Sequence, residues 1–426
     1  MRSLFIIPAL LLLFASSCRK KYEAPVPDVN NWSLFSGAGK LALSNTARTA
    51  LEGVYTMLEG AANFGDSVAV KWNYTHKGTD TTWHLSIFCG KDVAYLITEG
   101  KKLNGDILLN GYWRKMAGVE TGIVRLTIKA QNGADLISTV NPLLSPGAIT
   151  ISGVYGNGQE EPLLPIGLSY KRKLFNRYPF EILAHRSGGR TSDLLPASEN
   201  SVEMIRKTPE FGSTGIEIDV RLTSDGIPIL YHDNAINLRE TQKSGLVGPI
   251  ENYSFEQLST FVRLINGEKI PTLRQALDAV VNETSLRFVW LDTKYTSGSL
   301  QIVRDIQKEY LQKAAAAGRQ LSIVIGLPTE DALDEFLALP DFASAPNLCE
   351  LTLEDVDRTN AEVWAPRFTL GTQNEEVAKV HAAGRKAFVW TLDVPDLVQQ
   401  YFSEGHFDGI LSNYPSMIAY YYYVQP

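Results

Sequence analysis

Between positions 185 and 233 the chain reads HRSGG, then GIEIDVRLTSDG, then PILYHD, which sets two histidines, an arginine and paired carboxylates into an otherwise apolar stretch. Leaving a charge desolvated and unpaired costs several kcal/mol, so a run of this kind must answer to a ligand. Glu217 and Asp219 stand two apart, which puts them on one face of a strand, and Asp292 and Lys294 repeat that spacing later. Glu217, Asp219 and Asp292 offer three hard oxygen donors and no soft ones, a set that suits one divalent cation, Ca²⁺ or Mg²⁺. Arg186 and Lys294 add positive charge where a phosphate could bridge cation and side chains. His185 and His232 can divide general-base and general-acid duty near neutral pH. Together these residues are equipment for phosphodiester cleavage.

The elements that must position them follow from the pattern around them. From about Phe180, short apolar runs alternate with helical spacing, which means a parallel sheet with crossovers. The strands are EILAHR, GIEIDVRL, LRFVWLD, LSIVIGL, LCELTL, RFTLGT, KAFVWTL and GILSNY, with helices over 300–317, 330–339, 375–383 and 395–403. Eight such units fit an α/β (β/α)₈ TIM barrel, whose site lies at the carboxyl ends of the strands. PILYHD follows the second strand too soon for a crossover, so it must return as a hairpin arm. With a turn centred on Asp225 and Gly226, His232 is expected opposite Asp219.

The region 31–172 reads differently. Segments such as WHLSIF, VAYLITEG, DILLNGYWR and GIVRLTIK alternate apolar and polar residues, and Asn104-Gly105 and Asn132-Gly133 read as hairpin turns. An all-β barrel or sandwich is expected, its last strands resembling small lipocalin-type barrels. Trp72, Trp83 and Trp113 are read as core ahead of a ligand pocket.

Ahead of it, Met1 and Arg2 precede an apolar run from Leu4 to Phe14 and the small residues Ala15 to Ser17. Residues 1–18 are expected to be a signal peptide whose cleavage leaves Cys18 lipidated, and 19–30 a tether. This places the protein at a bacterial cell envelope, lipid-anchored and facing the periplasm or the outside. Cys89 and Cys349 read as buried hydrophobes rather than a bridge. A net charge of -7 provides no basic field for nucleic acid, which is not expected as a partner. The sequence carries no signal for oligomeric state.

The residues from His185 onward also carry a family resemblance. His185-Arg186, Glu199-Asn200, Glu217-Ile218-Asp219-Val220, Asp225-Gly226, His232-Asp233, Ile270-Pro271-Thr272-Leu273, Trp390-Thr391, Asp408-Gly409-Ile410 and Tyr414-Pro415 resemble, in order and approximate spacing, the glycerophosphodiester phosphodiesterases. The likeness covers 178–426. It implies hydrolysis of a glycerophosphodiester to glycerol 3-phosphate and an alcohol, often with attack by the glycerol 2-hydroxyl through a cyclic intermediate. It further implies His185 and His232 as catalytic, Glu217, Asp219 and Asp292 as metal ligands, Arg186 and Lys294 on phosphate, and Trp390 against glycerol. The family usually has glutamate where this chain has Asp292.

The usual His-Arg-Gly becomes His185-Arg186-Ser187-Gly188-Gly189, followed by an extended loop, 190–197, expected over the entrance. Ser412-Asn413 replaces a common threonine-aspartate pair and is expected to touch the rim, away from the ligands. Asn200 with Glu203 fits a capping box, so Glu199 and Asn200 are read as structural. Asp233 is read as orienting the hairpin or His232 rather than acting itself, and Tyr420 to Tyr423 as terminal packing. The other reading of the whole is a non-catalytic envelope lipoprotein that binds a glycan, lipid or phosphoester through the β domain.

Overall fold

Period-2 alternation over eight consecutive segments builds a closed antiparallel barrel in the first part of the chain. The computed structural model describes residues 25–139, 143–294 and 298–426, so the signal segment and the first half of the tether lie outside the described residues. After a two-residue strand β1 (Leu41–Ala42), the strands are β2 (Gly53–Glu59), β3 (Ser67–Lys77), β4 (Asp80–Cys89), β5 (Ala94–Leu103), β6 (Asp106–Lys115), β7 (Thr121–Ile128), β8 (Thr150–Tyr155) and β9 (Leu164–Arg172). Each pairs with its sequence neighbour, and β9 returns to β2, so eight strands close up-and-down. Closure removes the exposed edges that an open sheet would leave. Asn104 and Gly105 both have positive φ, as a two-residue hairpin turn between β5 and β6 demands. Asn132-Gly133 departs from expectation: Asn132 ends a 3-10 turn and Gly133 starts the short helix Ala134–Ile137, so no hairpin forms there.

The inward strand positions, among them Tyr55, Val70, Trp72, Leu109, Trp113 and Leu126, form one buried cluster with Phe64 of the short helix Ala61–Phe64, so side chains fill the barrel. Trp72 and Trp113 are buried in it, with Trp83 packed on its edge.

The second barrel is parallel. Its strands are β10 (Glu181–Ala184), β11 (Gly215–Leu222), β15 (Phe288–Thr293), β16 (Ser322–Leu327), β17 (Asn347–Cys349), β18 (Val363–Trp364), β19 (Lys386–Val389) and β20 (Gly409–Ser412), closed by pairing of β10 with both β20 and β11. Between β11 and β15 come β12 (Pro228–Leu230) and a two-stranded ribbon, β13 (Ala235–Ile236) and β14 (Gly248–Pro249). The four expected helices form at Ser299–Ala316, Glu330–Leu337, Asn374–Ala382 and Pro395–Glu404.

Two expectations fail for identifiable reasons. The sixth strand is Val363–Trp364, not RFTLGT, because Pro366 cannot donate to a ladder and 368–370 turn as a 3-10 segment instead. The fifth strand stops at Cys349, since Thr352 and Asp355 make a reciprocal cap that opens a further helix, Leu353–Arg358.

The two barrels share a core. Ala69, Phe88, Tyr95, Ile97 and Met116, from outward positions of the first barrel, join one apolar cluster with Phe211, Met417, Tyr422 and Tyr423. The terminal helix Pro415–Tyr423 lies in this seam, where Tyr420 Oη meets Ser67 Oγ at 3.1 Å and the Phe88 and Tyr423 rings stack. Among the described residues no helix is long and apolar enough to cross a membrane.

Close strand approach at Gly111 makes the β barrel testable, because a Cβ there would stand 1.8 Å from the Ile97 carbonyl oxygen. Gly111→Ala is expected to cost about 3 kcal/mol through overpacking. Thermal and urea unfolding check this; an unchanged midpoint would contradict it.

Candidate active site

Adjacent parallel strands set the charged centre. Asp219 on β11 and Asp292 on β15 are direct register partners, and Glu217 lies two residues back on the same face as Asp219. Carboxylate oxygens of Glu217, Asp219 and Asp292 lie within 4.8 Å of one another. Lys294 bridges two of them, with Nζ 2.8 Å from Asp219 Oδ1 and in contact with Asp292. Asn200 Nδ2 donates to Asp219 Oδ2 at 2.7 Å, and the Arg186 backbone N–H donates to Glu217 Oε2 at 2.7 Å. Glu217 Oε1 and Asp292 Oδ1 are buried with no hydrogen-bond partner among the described residues. Buried carboxylate oxygens without donors are costly unless a cation meets them, so the donor set fits a hard divalent ion.

The acidities agree with that crowding. Burial, then the charges of Asp219 and Asp292, push Glu217 well above the usual carboxylate range, and burial raises Asp292 although Lys294 opposes it. Burial also works against ionised Asp219, but Lys294, His232 and His185 prevail and lower its pKa to about 2. Lys294 is raised, because the three carboxylates outweigh its own desolvation.

The histidines flank this centre. His185 follows β10, and its Nδ1 lies 2.9 Å from Asn413 Oδ1, while its Nε2 lies 3.8 Å from Glu217 Oε2. Asn413 is held by Asp393, which accepts from its backbone N–H at 2.8 Å and from its amide at 2.5 Å. Asn413 therefore does not sit apart at the rim: it fixes the His185 ring. Burial, aided by Arg186, lowers the His185 pKa to about 4 against the opposing pull of Asp219 and Asn413.

His232 ends the arm formed by β12. That arm pairs Val220 with Leu230, and the Tyr231 N–H donates to the Asp219 carbonyl at 3.1 Å. Tyr231, not His232, is thus opposite Asp219. The turn has three residues, Ser224 to Gly226, closed by the Thr223 and Ile227 backbone pair, which moves the register by one from a turn centred on two. His232 Nδ1 lies 2.7 Å from Asp233 Oδ1, and its Nε2 lies 2.9 Å from Arg186 Nη2.

Several residues enter here that sequence reasoning missed or misread. Glu199 Oε1 accepts from Arg186 Nη1 and Arg239 Nη1, each at 2.9 Å, and Arg239 Nη2 also reaches Asp233 Oδ1 at 2.8 Å. The helix that follows is capped by Ser201, so Asn200 is no cap but the partner of Asp219. Glu240 receives the Asp233 N–H at 3.0 Å, and burial, then the charge of Glu199, lift it to about 8 against the pull of Arg239. Glu350 directly follows β17; burial first, then Asp292, raise it well above the ordinary range. Its place at the carboxyl end of a barrel strand was the available signal. Arg239 and Glu240 lie in an irregular loop with no spacing signal.

Trp390 directly follows β19, half-buried over the barrel's central apolar layer, with Nε1 donating to the Ala365 carbonyl at 2.8 Å and Arg367 4.7 Å above its ring. The 190–197 loop bears on the same mouth through the Thr191 N–H, which donates to Glu199 Oε2 at 2.7 Å.

A closed parallel barrel with acids, imidazoles and guanidinium gathered at the carboxyl ends of its strands defines a (β/α)₈ barrel whose mouth carries a hard-cation donor set beside positive charge. The chain belongs to the glycerophosphoryl diester phosphodiesterase family, whose profile matches residues 185–417, more than half of its 426 residues. It is similar to human glycerophosphodiester phosphodiesterase 1, at 37% identity over 108 residues, 24% of this chain and 30% of that protein's length. A probable glycerophosphodiester phosphodiesterase 2 of Mycobacterium tuberculosis is 27% identical over 54% of this chain and 86% of its own. Among solved structures, an Oleispira antarctica phosphodiesterase in complex with the product sn-glycerol-3-phosphate aligns with a TM-score of 0.46 at 21% identity, over 56% of this chain and 95% of that one.

The acidity of His185 carries a consequence for stability. Its folded value, about 4, lies below the unfolded value of about 6.5, so its contribution is complete above about pH 6.5 and is lost as pH falls toward 4. Chelator-treated protein is expected to lose on the order of 3 kcal/mol more across that window than His185→Gln. Unfolding free energies at a series of pH values test this, and parallel curves would contradict it.

Proposed function

We propose that this chain hydrolyses glycerophosphodiesters to glycerol 3-phosphate and an alcohol. The observation that carries the reading is the convergence of three carboxylates, two buried and one half-buried, with two histidines at one barrel mouth. Family membership supports the same reaction. Glu217, Asp219 and Asp292 would hold one divalent cation, Ca²⁺ or Mg²⁺, supplying Lewis acidity at a phosphoryl oxygen.

The chain's own residues then divide the work. His185, tied through Nδ1 to Asn413, turns Nε2 toward Glu217, and His232, tied through Nδ1 to Asp233, has Nε2 against Arg186, a contact it would exchange for substrate; one then takes the nucleophile's proton and the other gives a proton to the leaving alcohol. Burial, aided by Arg186, lowers the His185 pKa to about 4 and so favours its neutral form, the form a general base requires. Arg186 and Lys294 stabilise charge developing on the phosphoryl group. Trp390 offers an apolar face to the glycerol carbons. In this reading 178–426 is the catalytic domain and 31–172 an accessory barrel. Residues 1–18 act as a lipoprotein signal, so that Cys18 anchors the chain at the envelope through the tether 19–30.

Phosphorus NMR of glycerophosphocholine turnover tests the reaction. His185→Ala and His232→Ala are each expected to lower kcat by about 10³-fold while leaving the unfolding midpoint near that of the wild type. A folded variant within tenfold of the wild type would remove that histidine from the mechanism. For the anchor, Cys18→Ser is expected to shift the protein from the membrane to the soluble fraction of cells, and unchanged membrane association would contradict it.

A further inference from the structure

Arg114 is a fully buried cation on β6 of the first barrel, yet its partners lie outside that barrel's sheet. Its Nη2 donates to the carbonyls of Asp193 and Leu194 at 2.9 and 2.8 Å, and to that of Gly118 at 3.0 Å. Nη1 donates to the carbonyl of Pro25 at 3.1 Å. Among the described residues, no carboxylate forms an ion pair with it. Burying a guanidinium is unfavourable unless its hydrogens are met; here four carbonyls accept from Nη1 and Nη2, three of them sharing the two Nη2 hydrogens, while Nε has no partner among the described residues. Two of those carbonyls belong to the loop at the mouth of the other barrel.

That loop leads into the candidate site. Leu194 sits in the left-handed region at φ 51, a conformation that a leucine holds only when its surroundings impose it. Two residues from Asp193, the Thr191 N–H donates to Glu199 Oε2 at 2.7 Å. The other Glu199 oxygen receives Arg186, and Arg186 in turn meets Nε2 of His232 at 2.9 Å. Beside Arg114, Met116 is completely buried and accepts from Ser416 Oγ at 3.3 Å, which seats the turn after β6 against the terminal helix.

We propose that Arg114 is a positioning residue of the active site: from the β barrel it clamps the 190–197 loop, and through Glu199 it fixes Arg186 and His232. The accessory barrel is thereby part of the catalytic device, with no contact to substrate. The inference rests on the proposed diesterase reading for its kinetic half and on geometry alone for the clamp.

The test uses the full chain with two variants. Arg114→Met removes the fork at similar volume, and Arg114→Lys keeps charge and length, so that a folded variant is available if the first does not fold. For each, kcat and KM on glycerophosphocholine and amide hydrogen exchange are measured. A clamp predicts kcat at least tenfold lower with KM within threefold, and exchange of loop amides 190–197 at least tenfold faster while β-barrel amides keep their wild-type rates. Lysine is expected to recover part of both. A merely structural arginine would lower the unfolding midpoint while leaving kcat per folded molecule and loop exchange within twofold of the wild type, and that result overturns the proposal. If wild-type protein turns over no diester, the functional reading fails, whereas loop exchange still decides the clamp.

Discussion

Repulsion among three carboxylates pinned side by side on two parallel strands is the constraint on which the rest of this site depends. Parallel register brings Asp219 and Asp292 level, and strand periodicity turns Glu217 to the same side. Nothing in the strands can relieve that crowding, because the backbone that creates it is the barrel wall. Relief comes from positive charge, and Lys294 supplies a single one against three acids. The remainder appears as buried oxygens with no donor and as carboxyls, Glu217 and Asp292, whose pKa is held above the ordinary range. A divalent cation is the charge that would complete the balance.

Around that centre each reactive ring is fixed from behind. Asn413 and Asp393 hold His185, Asp233 and Arg239 hold the His232 end, and Glu199 joins Arg186 to Arg239. Such backing matters because a catalytic group gains most when its geometry is set before substrate arrives. The arm from β11 to β12 has the same purpose at the level of the backbone. It occupies the edge of β11 that β10 leaves free beyond Ile216, and so raises the wall at the mouth and carries His232 there.

Much of this was legible in the sequence because it follows from local periodicity. Alternation and the Asn104-Gly105 turn announced the first barrel, and apolar runs alternating with helical spacing announced the crossovers of the second. What stayed hidden depends on single-residue detail or on distance. Pro366 displaced the sixth strand by a few residues, and a three-residue turn where two were assumed moved His232 by one position along the ladder. Asn413 looked peripheral because it lies 228 residues from His185, its partner. Arg114 carried no signal at all, since an arginine on an alternating strand reads as an outward, solvated residue. Only the packing of one barrel on the other makes it buried.

The central claim is that the crowded acids form a cation site. Calorimetric titration of Ca²⁺ and of Mg²⁺ into chelator-stripped protein measures this directly, without reference to turnover. The account predicts saturable one-to-one binding of at least one of the two ions and its loss in Asp219→Asn. Absence of saturable binding by either ion, or binding that Asp219→Asn leaves unchanged, would contradict it.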